Sequence, residues 1–345
     1  AQSKLDAILS GFFEDLAGGA CPRAAVRLTM GTGKTKQTIA ELKKYLTDKF
    51  QQTIEVYVPR HDLADEWEQS LEGINAKVIH VYPRTGGKWD EEAKAYTHPI
   101  MCQRADYVRD LEEKGHSIYG NACLSRTLGM QCSFFGGCAY LDQFRQSGND
   151  LGIENIIRIY SHASLFLSRN EFEGQVEPDL VIIDEAFLSS AVSNMPSIPV
   201  GDVTQHIRLE GLPSLGFDLV ECLTKHQGDL SYLRDKDIGA FEFNAVSVEA
   251  LNSATSFSAD TTHSRNIRSA KQYKTLTKLR EIAAREVEDQ SKDQFGQLAY
   301  NQRKNDIMIC EHKPIRVPRS APVLYLDATA DPIITEAYLP ALQYH

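Results

Sequence analysis

The chain has no apolar run of about 18 residues, so no membrane-spanning helix is expected. Its first residues, A-Q-S-K-L-D-A-I-L, carry no secretory signal pattern and no starting methionine, so the natural N-terminus is expected to lie elsewhere. Basic residues are outnumbered, 37 Lys and Arg against 47 Asp and Glu. The resulting net charge of -10 argues against a uniformly basic surface and leaves any nucleic-acid binding to local patches. The seven cysteines are an odd number without a secreted context and contain no close C-x₂-C pair. They read as intracellular thiols or metal ligands rather than a disulfide frame, and a cytoplasmic location is expected. No internal repeat or low-complexity segment is present. What remains is ordinary globular composition, 42% hydrophobic over 345 residues, enough for two or three domain-sized units.

The most informative stretch is V-R-L-T-M-G-T-G-K-T, from Val26 to Thr35. An apolar strand runs into a glycine-rich turn, with Lys34 and Thr35 opening a helix. Glycines let backbone N–H groups close on a phosphate, the lysine reaches the β/γ-phosphates, and the threonine hydroxyl holds Mg²⁺. Gly31, Thr32, Gly33, Lys34 and Thr35 are the candidate nucleotide-binding residues. The earlier glycine of the longer G-x-x-x-x-G-K-[ST] form would fall at Leu28 and is missing.

Apolar spacing predicts a helix over 3–17, with Gly18, Gly19 and Pro22 ending it. A helix over 35–48, a strand over 54–58, a helix over 62–71 and a strand over 76–82 follow. This alternation predicts an α/β fold with a largely parallel sheet. The rhythm stops near Pro83, resumes at 156–160 and 179–183, stops again near residue 190, and returns at 323–326. Within the second interruption, 196–213 reads as loop, and 217–235, 246–252 and 268–288 read as helical.

The strand V-I-I-D-E-A-F, Val181 to Phe187, delivers two adjacent carboxylates to the end of the sheet where ligands bind. Asp184 would position Mg²⁺ and Glu185 would polarise the attacking water. Lys34, Asp184 and Glu185 are therefore the candidate catalytic residues, with ATP and Mg²⁺ as ligands. Cys102, Cys123, Cys132 and Cys138 lie between the two strand blocks. Four thiolates hold either zinc or an iron–sulfur cluster, and scattered buried thiols are the plain alternative. His98 and His116 are available as substitute zinc ligands.

Together these segments resemble superfamily 2 helicases. G-T-G-K-T at 31–35 is similar to motif I and D-E-A-F at 184–187 to motif II, where Phe187 replaces the usual histidine. V-P-R-H-D-L-A at 58–64 resembles motif Ia, and L-D-A-T-A at 326–330 resembles motif III, with Asp327 in place of its serine and Thr329 as its threonine. Ser161-His162-Ala163 resembles the Asn-His-Ala segment of the XPD and DinG type of iron–sulfur DNA helicase. That type carries a four-cysteine domain between motifs Ia and II and a helical arch between motifs II and III.

The resemblance implies a RecA-like P-loop NTPase core over 1–82, 148–189 and 321–345. It places a four-cysteine insertion at 83–147 and an arch-like, mainly helical insertion at 190–320. It further implies a [4Fe-4S] cluster on the four cysteines, with zinc as runner-up. The implied activity is ATP-dependent translocation on single-stranded or forked DNA, 5′ to 3′, nucleoid-associated when on DNA. A second RecA-like motor domain is expected in the complete protein, and this chain reads as its N-terminal portion, weak or inactive alone.

Arg60, His61, Arg84, Lys88, Arg104, Arg109, Arg126 and Arg145 are candidate phosphate contacts. Tyr107, Tyr119, Phe134, Phe135 and Tyr140 are interleaved as stacking platforms. Arg265, Arg268, Lys271, Lys274, Lys278 and Arg280 form a second basic run, either channel lining or a solvated helix face. DNA and RNA are not distinguished by contacts to backbone and stacked bases. Two other functions stay open: a metal-stabilised nucleic-acid-binding module without helicase activity, and a non-helicase P-loop ATPase.

Overall fold

A computed structural model describes residues 2–29, 31–86, 89–90, 95–96, 98–113, 118–125, 129–145, 155–167, 177–193, 196–246, 264–310 and 314–345. It separates into two compact units. The first comprises 1–108, 122–193 and 313–345, and the second 109–121 and 194–312. The cysteine-bearing stretches thus group with the sheet unit.

The first unit is a seven-stranded sheet. Its strands are β1 (Arg23–Val26), β2 (Thr53–Val58), β3 (Ala76–His80), β4 (Asn155–Ser161), β5 (Leu180–Asp184), β6 (Val323–Leu326) and β7 (Gln343–Tyr344). They pair in the order β7-β1-β6-β5-β2-β4-β3, every pair parallel. This is the expected α/β P-loop core of RecA-like form. Strands covered on both faces must be apolar throughout, and β5 has all five residues buried. Parallel neighbours need crossovers, supplied by α2 (Lys34–Leu46) and α3 (His61–Ser70). α1 (Gln2–Ala17) precedes the sheet and buries Leu5, Leu9, Phe12, Phe13 and Leu16 from one face. Each such burial contributes about 1.5–3 kcal/mol.

The register aligns Leu326 with Asp184, and Val26 with Leu326. The glycine-rich turn, the D-E pair and the L-D-A-T-A segment therefore leave the sheet at the same end. That is where an open α/β sheet binds ligands.

The second unit contains helices over 200–206, 215–225, 231–234, 240–245 and 264–288. It also holds a three-stranded antiparallel sheet, Ser197–Pro199 on Asp306–Ile309 on Leu298–Asn301. The expected loop over 196–213 instead contains a strand and a helix. Pro199 caps the helix from outside, where its missing N–H costs nothing. The expected helix over 217–235 is broken by residues 226–230. The short helix Ala240–Ala245 ends before Val246, and 247–252 lie outside the described residues. Gly216 permits two helices to touch: a Cβ there would come within 2.6 Å of the Val203 carbonyl and 2.8 Å of that of Ile207.

Candidate nucleotide site and cysteine pocket

β1 ends in a turn that only glycine adopts easily. Gly31 and Gly33 have φ of 80° and 75°, in the left-handed region. Gly33 sits at the N-cap of α2, so Lys34 and Thr35 fall in its first turn. The free N–H groups and positive dipole end there suit a phosphate. Lys34 Nζ donates to the Leu28 carbonyl at 2.5 Å, bridging the loop to its own strand.

Asp184 is 1% exposed at the end of β5. Its Oδ2 accepts from Thr35 Oγ1 at 2.8 Å and from Trp67 Nε1 at 3.0 Å. Burial raises the Asp184 pKa, and the two donors oppose that rise. Glu185 adopts φ of 66°, a left-handed turn that is strained for a non-glycine residue. The turn sends the two carboxylates apart: Asp184 points into the protein beside Thr35, and Glu185 is exposed. Its amide still donates to the Leu326 carbonyl at 2.9 Å. Gly31, Thr32, Gly33, Lys34, Thr35, Asp184 and Glu185 thus all lie at one end of the sheet, and the Thr35–Asp184 bond joins its two halves directly.

Sequence reasoning missed Trp67. The available signal was a tryptophan on the apolar face of α3: its buried N–H must find an acceptor, and Asp184 is that acceptor. His162 is 1% exposed, and its Nε2 lies 2.9 Å from the Asp184 carbonyl. Burial lowers its pKa to about 4, so the ring is neutral and Nε2–H donates.

Phe187 is fully buried. Its ring meets Tyr325 at 5.5 Å and Tyr338 at 5.6 Å, both edge-on. The link between the D-E-A-F segment and β6 is accordingly aromatic and main-chain. Asp327 Oδ1 accepts from the Thr329 amide and hydroxyl, both at 2.8 Å, and Oδ2 accepts from Tyr325 at 2.6 Å. The aspartate thereby orients the threonine that follows it.

Cys102, Cys123, Cys132 and Cys138 are free thiols that line one pocket, together with Arg84. Short main-chain bonds hold them there. The Cys102 amide donates to the Arg84 carbonyl at 3.1 Å, and the Cys132 amide to the Cys123 carbonyl at 2.9 Å. Among the described residues, three metal-ligating atoms come within 4.8 Å of one another only at Asp65, Glu68 and His80. Four thiols on one pocket suit either a zinc ion or an iron–sulfur cluster by donor chemistry.

Arg84 does not serve as a surface phosphate contact. It is 8% exposed, with Nη1 3.3 Å from Cys123 Sγ and its guanidinium 3.8 Å from the Tyr140 ring centroid. Burial pushes the Cys123 thiol pKa up, and Arg84 opposes that shift. Tyr140 is occupied by Arg84 and by Phe144, so it is part of the pocket wall rather than a base platform. Arg280 Nη1 donates to the Val246 carbonyl at 2.8 Å, which ties it into the second unit. Arg60 is exposed and 3.2 Å from Asp62, Arg104 lies over Tyr107, and Phe134 is exposed. Lys88, His116 and Arg126, and the side chains of Arg145, Arg265, Arg268 and Lys271, lie outside the described residues. His98 does not line the cysteine pocket; its ring lies 4.7 Å from that of His61.

No protein-family model and no curated protein matches the chain. Among the described residues, no helix is long and apolar enough to cross a membrane. Among solved structures, the chain is similar to one titled "Truncated XPD", with a TM-score of 0.41 and 11% identity over 98% of both chains. It is also similar to one titled "XPD_APO", with a TM-score of 0.40 and 11% identity, over 98% of this chain and 57% of that one.

Proposed function

We propose that this chain is a motor domain of an ATP-dependent DNA helicase that carries an iron–sulfur cluster. The observation that carries the reading is the 2.8 Å bond from Thr35 to Asp184. It supports one Mg²⁺–nucleotide site built from the glycine-rich loop and the D-E strand. Lys34 and the amides of the loop would bind the phosphates, Thr35 and Asp184 would hold Mg²⁺, and the exposed Glu185 would orient water. The four cysteines would hold a [4Fe-4S] cluster, which brings fixed charge and rigidity to the pocket; Arg84 would offset the negative charge of its thiolates. Zinc on the same four thiolates is the alternative.

Single-stranded DNA, of free or forked substrates, is the proposed partner, with 5′-to-3′ movement. Arg104, Tyr107 and Phe134 are the accessible combination of charge and flat rings beside the pocket.

The test is ATP turnover measured with and without single-stranded DNA. The proposal expects DNA to raise the rate and Lys34→Ala to abolish it while the far-ultraviolet circular dichroism stays unchanged. Turnover that ignores DNA would favour the non-helicase ATPase instead. Strand binding without turnover would favour the binding module.

A further inference from the structure

A second group of metal-ligating side chains lies away from both the phosphate loop and the cysteines. His61, Asp65 and Glu68 are spaced i, i+4 and i+7 on α3, so one helix face carries all three. The edge strand β3 ends in His80 against that face. His80 is 7% exposed, while the Asp65 and Glu68 side chains are 54% and 47% exposed. His80 Nδ1 lies 3.0 Å from Asp65 Oδ1 and 4.0 Å from Glu68 Oε2. All three ligand atoms fall within 4.8 Å of one another.

Two features distinguish this group from a solvated acidic patch. First, the buried Nδ1 has close oxygen neighbours but no partner on the line of a hydrogen bond. Second, His80 Nε2 is 2.8 Å from His61 Nδ1. In the tautomer whose Nε2–H donates to His61, the Nδ1 lone pair faces two carboxylates, and a cation between them relieves the repulsion. Ligand bonds of about 2.0–2.2 Å place pairs of donors about 3–4 Å apart, which matches the two edges to His80, 3.0 and 4.0 Å.

We propose that Asp65, Glu68 and His80 bind one divalent transition-metal ion through two carboxylate oxygens and one imidazole nitrogen, with water completing the shell. His61 is the outer partner that fixes the His80 tautomer and ring orientation. A mixed nitrogen and carboxylate set selects manganese or zinc over the softer ions that thiolates take. The half-exposed carboxylates give the ion an entry from solvent. Once bound, it fastens α3 to β3, and α3 is the helix whose Trp67 holds Asp184.

Manganese(II) separates this site from the cysteine pocket because a hard ion avoids thiolates. The experiment titrates the intact chain with Mn²⁺ in the absence of nucleotide and counts free ion by electron paramagnetic resonance. One Mn²⁺ per chain is expected. Asp65→Asn and Glu68→Gln, isosteric changes at half-exposed positions, each weaken it at least tenfold, and His61→Ala weakens it about 10- to 100-fold. Lys34→Ala and Cys132→Ser leave it unchanged. Absence of binding at millimolar Mn²⁺ overturns the site, as does binding that is indifferent to both carboxylate substitutions or lost only with Cys132→Ser.

Discussion

Thr35 Oγ1 donates to Asp184 Oδ2 across 2.8 Å, joining the first turn of α2 to the end of β5. The two residues are 149 positions apart in the chain. Asp184 also accepts from Trp67, so three elements converge on one buried carboxylate. Trp67→Phe removes one donor from a charged acceptor and should cost about 1.5–3 kcal/mol of stability. It should also weaken Mg²⁺-dependent nucleotide binding. Urea unfolding and nucleotide titration check both; unchanged nucleotide affinity would confine Trp67 to packing.

Phe187 tests whether a histidine can be restored to the D-E-A-F segment. The site is an aromatic cage of Tyr325, Tyr338 and Phe166 with no exposure. An imidazole there loses its water and gains no evident partner. Phe187→His is therefore predicted to destabilise the protein by about 1–3 kcal/mol. A stability equal to the parent's would reveal a polar partner for the imidazole.

Arg84 separates pocket chemistry from DNA contact. A phosphate contact, once removed, lowers the slope of log affinity against log salt by about 1. Arg84→Gln should leave that slope unchanged and lower the metal content of the cysteine pocket. A reduced slope with full metal content would return Arg84 to the strand-binding surface.

His162 makes stability depend on pH. Its folded pKa of about 4 lies below the ordinary histidine value of about 6.5. Between these values the unfolded chain binds the extra proton, so stability is complete above about pH 6.5 and falls as pH drops toward 4. The full shift corresponds to about 3 kcal/mol. Unfolding free energies from pH 7 to 5 should therefore fall less steeply in His162→Gln than in the parent. Parallel curves would mean that the ring is already protonated in the fold.

Gly216 carries a prediction for the second unit. Gly216→Ala sets a methyl against the Val203 and Ile207 carbonyls and should cost about 1–3 kcal/mol. Denaturant unfolding measures it, and a change within a few tenths would mean that the two helices separate without cost.

The motifs of the sheet were legible because each is local. Glycines mark the positive φ at residues 31 and 33, and an unbroken apolar run marks β5 as a buried strand. The orientation of the paired carboxylates was legible only in outline, since the left-handed turn at Glu185 has no compositional sign. Trp67, Arg84 and His80 take their meaning from partners 39 to 117 residues away or from a facing helix. The small sheet in the second unit was hidden for the same reason. Its strands are three or four residues long, and two of them pair across more than a hundred residues.

The cysteine pocket most sharply divides an iron–sulfur motor from a plain P-loop ATPase. The decisive measurement is iron, sulfide and zinc per chain after purification without oxygen, with an absorbance spectrum of the same sample. The account predicts about four irons and four sulfides, lost in Cys132→Ser and in Cys138→Ser. One zinc and no iron, or no metal on these cysteines, would contradict it.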